Sequence, residues 1–87
     1  MTLNKTFSAL SDPTRRTILD LLKKSDLPVA EIAKHSSLTL PTLSHHLSTL
    51  KDAGLVTVQR QGTQMIYSLN LSVFEAVAKD LYAFFNK

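Results

Sequence analysis

The sequence predicts a small, mainly helical domain with one β-hairpin, in the order α-α-α-α-β-β-α. Three observations predict it. Apolar residues recur at helical spacing through residues 13–24, 40–53 and 72–86. Residues 28–53 read as two short amphipathic helices joined by a tight polar turn, Ser36-Ser37-Leu38-Thr39. The period then changes to alternation on both sides of Gln61-Gly62-Thr63, as a hairpin with a Gly-bearing turn requires.

Each element has a local reason. The first helix, about residues 2–10, sets Leu3, Phe7 and Leu10 on one side. Asp12 then offers a side-chain acceptor to the free amides of a second helix, and Pro13 loses nothing at its first position. That helix points Ile18, Leu19, Leu21 and Leu22 inward, and Lys23-Lys24 suit its negative end. Ser25-Asp26 reads as a turn. The third helix aligns Val29, Ile32 and Ala33, and His35 ends it. Thr39 caps the fourth helix, Pro41 lies in its first turn, and Leu43, His46, Leu47 and Leu50 form its inner row. Gly54 stops it as a left-handed C-terminal residue. Residues 55–60 and 64–69 are the hairpin strands. The last helix, from Ser72, repeats Phe74, Val77, Ala78, Leu81, Phe84 and Phe85.

Composition bounds the function. Eighty-seven residues without a repeat or linker make one domain, 1–87. There is no cysteine, which removes disulfides and thiolate metal sites. No apolar run is long enough to span a bilayer or to serve as a signal peptide, so a cytoplasmic protein with no membrane partner is expected. The net charge of +3 is unevenly placed: residues 1–60 hold eight Lys and Arg against five Asp and Glu, whereas residues 61–87 are balanced. The basic excess thus lies on the part that contains the helix pair.

The outward face of the fourth helix carries Pro41, Thr42, Ser44, His45, Ser48 and Thr49, small and polar and nearly free of acid. A helix that slides between two phosphate walls and touches base edges needs such a face. This is a helix-turn-helix, and the hairpin after it is a wing, giving a winged helix-turn-helix whose ligand class is duplex DNA. The recognition helix spans about 40–53 and the wing about 56–68. Candidate DNA-binding residues are Thr39, Leu40, Thr42, Ser44, His45, Ser48, Lys51, Arg60, Gln61 and Thr63. Lys51 is expected on backbone phosphate, where a point charge suffices, and Arg60, at the wing's base, in a minor groove. Arg15 and Arg16 are either phosphate ligands or partners in an internal salt link that orients the second helix.

Other chemistries find little support. His45 and His46 are adjacent, about 100° apart on a helix, and cannot chelate one ion together. Glu75 and Asp80 are five apart; Glu75 is better placed to pair with Lys79. No metal or cofactor is expected. Ser44-His45 is no nucleophile–base pair, and there is no Gly-rich phosphate loop, so the chain is not read as an enzyme. The apolar stripe of the last helix, with Phe74, Tyr82, Phe84 and Phe85, is too wide for so small a core. It reads as a dimer seam along helix 72–86, with Phe74, Val77, Ala78, Leu81, Phe84 and Phe85 facing a second copy.

Three segments resemble the ArsR/SmtB family of bacterial winged-helix repressors, in order and at family spacing. They are Ala9-Leu10-Ser11-Asp12-Pro13-Thr14-Arg15-Arg16-Thr17-Ile18-Leu19, residues 41–56 from Pro41-Thr42-Leu43-Ser44-His45-His46-Leu47 to Ala53-Gly54-Leu55-Val56, and Arg60-Gln61-Gly62 followed by Tyr67-Ser68-Leu69. The resemblance implies a homodimer that binds an inverted-repeat operator and blocks transcription, paired through its first and last helices (2–10 and 72–86), which adds Leu3 and Phe7 to the dimer seam. Many members release DNA when metal binds. The absence of cysteine and the short tail resemble the SdpR-like autorepressor subgroup, which lacks the metal ligands; the inducer would then be an unidentified protein or small molecule. The chain departs from the family pattern in three places. Leu40 stands where a Gln commonly reads a base, so it either meets a thymine methyl or packs under the turn. Pro28 replaces a Ser or Thr cap, and Thr63 replaces a basic wing residue. The alternatives are a winged-helix module that binds protein and a metal-responsive sensor.

Overall fold

A computed structural model describes residues 3–86; the side chain of Leu3, expected at the dimer seam, and all of Thr2 lie outside the described residues. The helices are α1 (Leu3–Leu10), α2 (Pro13–Lys24), α3 (Val29–Lys34), α4 (Leu40–Asp52) and α5 (Leu71–Phe85). The strands are β1 (Leu27–Pro28), β2 (Val56–Gln61) and β3 (Gln64–Leu69), in the antiparallel order β1-β3-β2. All five helices and both hairpin strands fall within about a residue of their expected limits, which is ordinary helix-end and strand-end variation.

The strand β1 was not expected. Leu27 pairs with Tyr67 and Pro28 with Ile66, which converts the hairpin into a three-stranded sheet. Two residues carry too little pattern to register as a strand, and proline is tolerated there because β1 is an edge. Pro28 also occupies the N-cap position of α3, where it makes no side-chain capping bond. The hairpin loop is shorter than the expected three residues. Gln61 pairs with Gln64, so Gly62-Thr63 alone turn the chain. Gly62 has φ +61° and Thr63 is not in the positive region, the pattern of a type II′ turn with glycine first.

The core sits between α2, α4 and the start of β2. Ile18, Leu19 and Leu22 of α2, Ile32 of α3, and Leu43, Leu47 and Leu50 of α4 are all buried, closed by Leu55 and Val56. The centres of the expected inner rows are therefore buried, while Leu21, Val29, Ala33 and His46 at their edges are half-buried. Each fully buried Leu or Ile contributes roughly 1.5–3 kcal/mol relative to exposure. The end of α4 is a Schellman motif. The Leu55 amide donates to the Leu50 carbonyl at 3.0 Å and the Gly54 amide to Lys51 at 2.9 Å. Gly54 has φ +78°, which is what reserves the position for glycine. This tight exit delivers the chain from α4 into β2, fixing the wing relative to the helix.

Candidate nucleic-acid interface

The interface is built from α4, the turn before it and the wing. Within the turn, the Leu38 amide donates to Ser36 Oγ at 3.0 Å, and Leu38 packs against the core. Thr39 then caps α4: its Oγ1 accepts from the Thr42 amide at 3.4 Å and donates to Thr42 Oγ1 at 3.0 Å. On the inner side α4 rests on Leu43, Leu47 and Leu50. On the outer side Leu40, Pro41, Thr42, Ser44, His45, Ser48 and Lys51 are exposed. The polar face expected from the spacing is thus presented to solvent, with Asp52 at its far end. Thr49 is only half-exposed and belongs to its margin.

Leu40 is 61 % exposed. The packing role that the sequence left open for it falls to Leu38 instead, two residues earlier.

Among the described residues, Arg15 and Arg16 form no salt link with a carboxylate; their guanidiniums bond to the end of α1 instead. Arg15 Nε donates to the Ala9 carbonyl at 2.8 Å and Nη2 to Ser8 at 3.0 Å. Arg16 Nη1 donates to the Leu10 carbonyl at 2.7 Å. Both therefore close the last turn of α1, whose carbonyls lack helical partners and carry the negative end of the dipole. Arg15 Nη1 also approaches His46 Nδ1 of α4 at 3.3 Å. A guanidinium only donates, so in this contact Nδ1 can only accept. The Asp12 carboxylate accepts from the Arg15 amide at 3.0 Å. That hydrogen bond, helped by the Arg15 charge and opposed by burial, holds the Asp12 carboxyl below its usual range. Arg15 thereby links α1, α2 and α4. The available signal was its place just after a helix end, where cations meet orphan carbonyls.

The wing places Arg60, Gln61 and Thr63 in the open. Arg60 pairs with Met65, one rung from the turn, so it stands beside the wing's tip rather than at its base. Its Nε donates to the Gly62 carbonyl at 3.1 Å, which steadies the guanidinium there. Met65 is exposed beside it, although Ile66 and Tyr67, which follow it in the strand, are half-buried.

The expected dimer residues divide. Phe7, Leu81, Phe84 and Phe85 are exposed, as are Tyr82 and Ala78. Phe7, Asp80, Leu81 and Phe84 line one groove of about 300 Å³ between α1 and α5. Phe84 and Phe85 meet edge to face at 5.1 Å. Val77, by contrast, is only 7 % exposed, and Phe74 is half-buried against the core, so both also pack within the protomer. The stripe is wide because its inner edge covers the core and its outer edge does not.

Among the described residues, Glu75 and Lys79 form no ion pair; the ion pair present is Lys34–Glu31 at 3.0 Å. No group of three His, Asp or Glu side chains among the described residues is placed to hold a metal ion, and no helix is long and apolar enough to cross a membrane.

Comparison with known proteins follows the same outline. The family model described as bacterial regulatory protein, arsR family, matches residues 12–58, from the cap of α2 into β2. The transcriptional repressor SdpR of Bacillus subtilis (strain 168) is 44% identical over 85 residues, covering 98% of this chain and 94% of its own. The arsenical resistance operon repressor of Staphylococcus xylosus is 37% identical over 79 residues, covering 91% and 76%. Among solved structures, the homodimeric winged helix-turn-helix DNA-binding domain of Mb0332 from Mycobacterium bovis superposes with a TM-score of 0.75 at 28% identity, covering 98% of this chain and 85% of that one.

Proposed function

We propose, for a chain that belongs to the ArsR family of bacterial regulatory proteins, that it is a homodimeric transcriptional repressor that binds an inverted-repeat operator without needing a metal. The observation that carries this reading is the exposed, polar, acid-poor face of α4, held out from a buried leucine row and followed by an exposed wing. Thr42, Ser44 and His45 would read base edges in the major groove, while Ser48, Lys51, Arg60, Gln61 and Thr63 would position the protein on the backbone or in the flanking minor groove. Two such helices related by a two-fold axis would enter successive major grooves, roughly 34 Å apart. Support for the dimer comes from the apolar outer edge of α5 and from the homodimeric solved relative.

Relatives named as arsenical resistance repressors raise a metal-responsive reading. Against it, this chain has no cysteine, and soft metals and metalloids are held by thiolates. Release from DNA then falls to a protein or small-molecule inducer, or to dilution. The test is selection of bound duplexes from a random pool, followed by salt-dependent gel shift and zinc titration. The expected result is a palindromic site whose affinity falls steeply with salt. Zinc at a few equivalents should change that affinity by less than about threefold, near 0.65 kcal/mol. A tenfold, chelator-reversible loss would overturn metal independence. Absence of any duplex binding would leave the protein-interaction module as the reading.

A further inference from the structure

Leu40 is the large apolar side chain that α4 leaves in solvent, 61 % exposed on a face otherwise made of Pro41, hydroxyls, histidine and lysine. An exposed leucine alone means little. Its surroundings say more. It is the first residue of the helix, between the capping Thr39 and Pro41, so its backbone is held by the Thr39–Thr42 hydrogen bonds and by the fixed proline ring. The apolar seat beneath the turn is already taken by Leu38. At that exposure Leu40 is not packed within its own protomer. In a helix-turn-helix the N-terminal residues of this helix reach base edges. A leucine there can neither donate nor accept. In the major groove the one apolar feature of a base edge is the C5 methyl group of thymine.

Resting on the DNA-binding reading above, we infer that Leu40 specifies a thymine in each half-site by covering its C5 methyl group. The side chain loses water against that methyl, and any other base at the position leaves it against polar edge atoms. Leu40 is a specificity residue rather than an anchor: it adds nothing to phosphate binding.

The experiment removes the methyl and nothing else. A duplex recovered from a random pool with the wild-type protein is remade with each thymine replaced singly by uracil. Affinities are measured for wild type and for Leu40→Ala. The expected result is one position per half-site at which uracil weakens wild-type binding about three- to fivefold, the scale of one buried methyl group. Leu40→Ala should bind thymine and uracil equally there, with its melting temperature unchanged. Wild-type binding that ignores every uracil overturns the inference, as does a uracil penalty that survives in Leu40→Ala. A melting temperature lowered by several degrees in Leu40→Ala also overturns it, since Leu40 would then be packed. In those cases the duplex is still bound and the DNA-binding reading stands. A protein that retains no duplex at all overturns both.

Discussion

Helices α4 and α5 are both amphipathic, but the molecule treats them differently. The 13 residues of α4 bury Leu43, Leu47 and Leu50 and show solvent a polar outer face. The helix is capped by Thr39, closed by the Gly54 turn and touched through His46 by Arg15. The 15 residues of α5 bury only Val77, start at Asn70 without a side-chain cap, and leave Leu81, Tyr82, Phe84 and Phe85 outside. What a helix leaves unburied after folding describes its partner. The outer face of α4 suits a charged, hydrated groove. The outer face of α5 suits another apolar surface, which a second copy would supply by symmetry. The protomer alone holds α4 in place, whereas α5 has its outer edge still to cover.

The sharpest test of that contrast uses two neighbouring residues of α4. Leu47 is 2 % exposed and Ser48 is exposed. Leu47→Ala should cost about 2–5 kcal/mol of stability by chemical denaturation, a large share of what a domain this size has. Ser48→Ala should change stability by less than about 0.5 kcal/mol and act on DNA affinity alone. Equal stability losses would mean that the two faces of α4 are not distinct.

The complementary break lies in α5. Replacing Leu81 and Phe84 together by Asp should yield a folded monomer, sedimenting near 9.7 kDa instead of twice that. Affinity for a palindromic site should fall by about a hundredfold or more, because the second half-site is no longer tethered to the first. Circular dichroism checks that helicity survives. A variant that still sediments as a dimer would place the interface elsewhere.

How much of this was legible in the residues follows from the same contrast. The inner rows of α2, α3 and α4 were readable because a buried row imposes a strict helical period. The caps at Asp12, Thr39 and Gly54 were readable because few residue types do those jobs. Harder to read was anything that depends on what lies across space. The sequence shows Val77 and Leu81 as one stripe; only packing separates the first, buried, from the second, exposed. Arg15 looks like a surface cation until the end of α1 is placed beside it. The strand Leu27–Pro28 exists only because β3 offers it a ladder. For Leu40 the residue type left two roles open, and its exposure removes the packing one.

A smaller effect distinguishes positioning from reading within the DNA interface. Lys51→Ala should weaken all duplexes alike. It should also reduce the slope of log affinity against log salt by about 0.9, the share of one phosphate that is no longer neutralised. Arg60, steadied beside the wing tip by its bond to Gly62, should behave differently. Arg60→Ala should lose preference for A/T-rich flanks, where a narrow minor groove attracts a guanidinium. A uniform loss across all flanks would make Arg60 a phosphate ligand like Lys51.

The smallest expected effect returns to how the two helices begin. Thr39 Oγ1 accepts from the first turn of α4, whereas the Asn70 side chain makes no capping bond to α5. Asparagine is as good an N-cap residue as any, so its idleness reflects backbone geometry: Asn70 has φ −92° and ψ 87°, away from the extended values of Thr39, φ −68° and ψ 156°. Thr39→Ala should therefore cost about 1 kcal/mol, lowering the melting temperature by roughly 4–8 °C. Asn70→Ala should cost under about 0.5 kcal/mol. Both must be compared at one protomer concentration, since coupling to dimer formation makes the midpoint depend on it. If Asn70→Ala proved as costly as Thr39→Ala, its side chain would be capping α5 in solution. The difference in how firmly the protomer holds the two helices would then shrink to their packing alone.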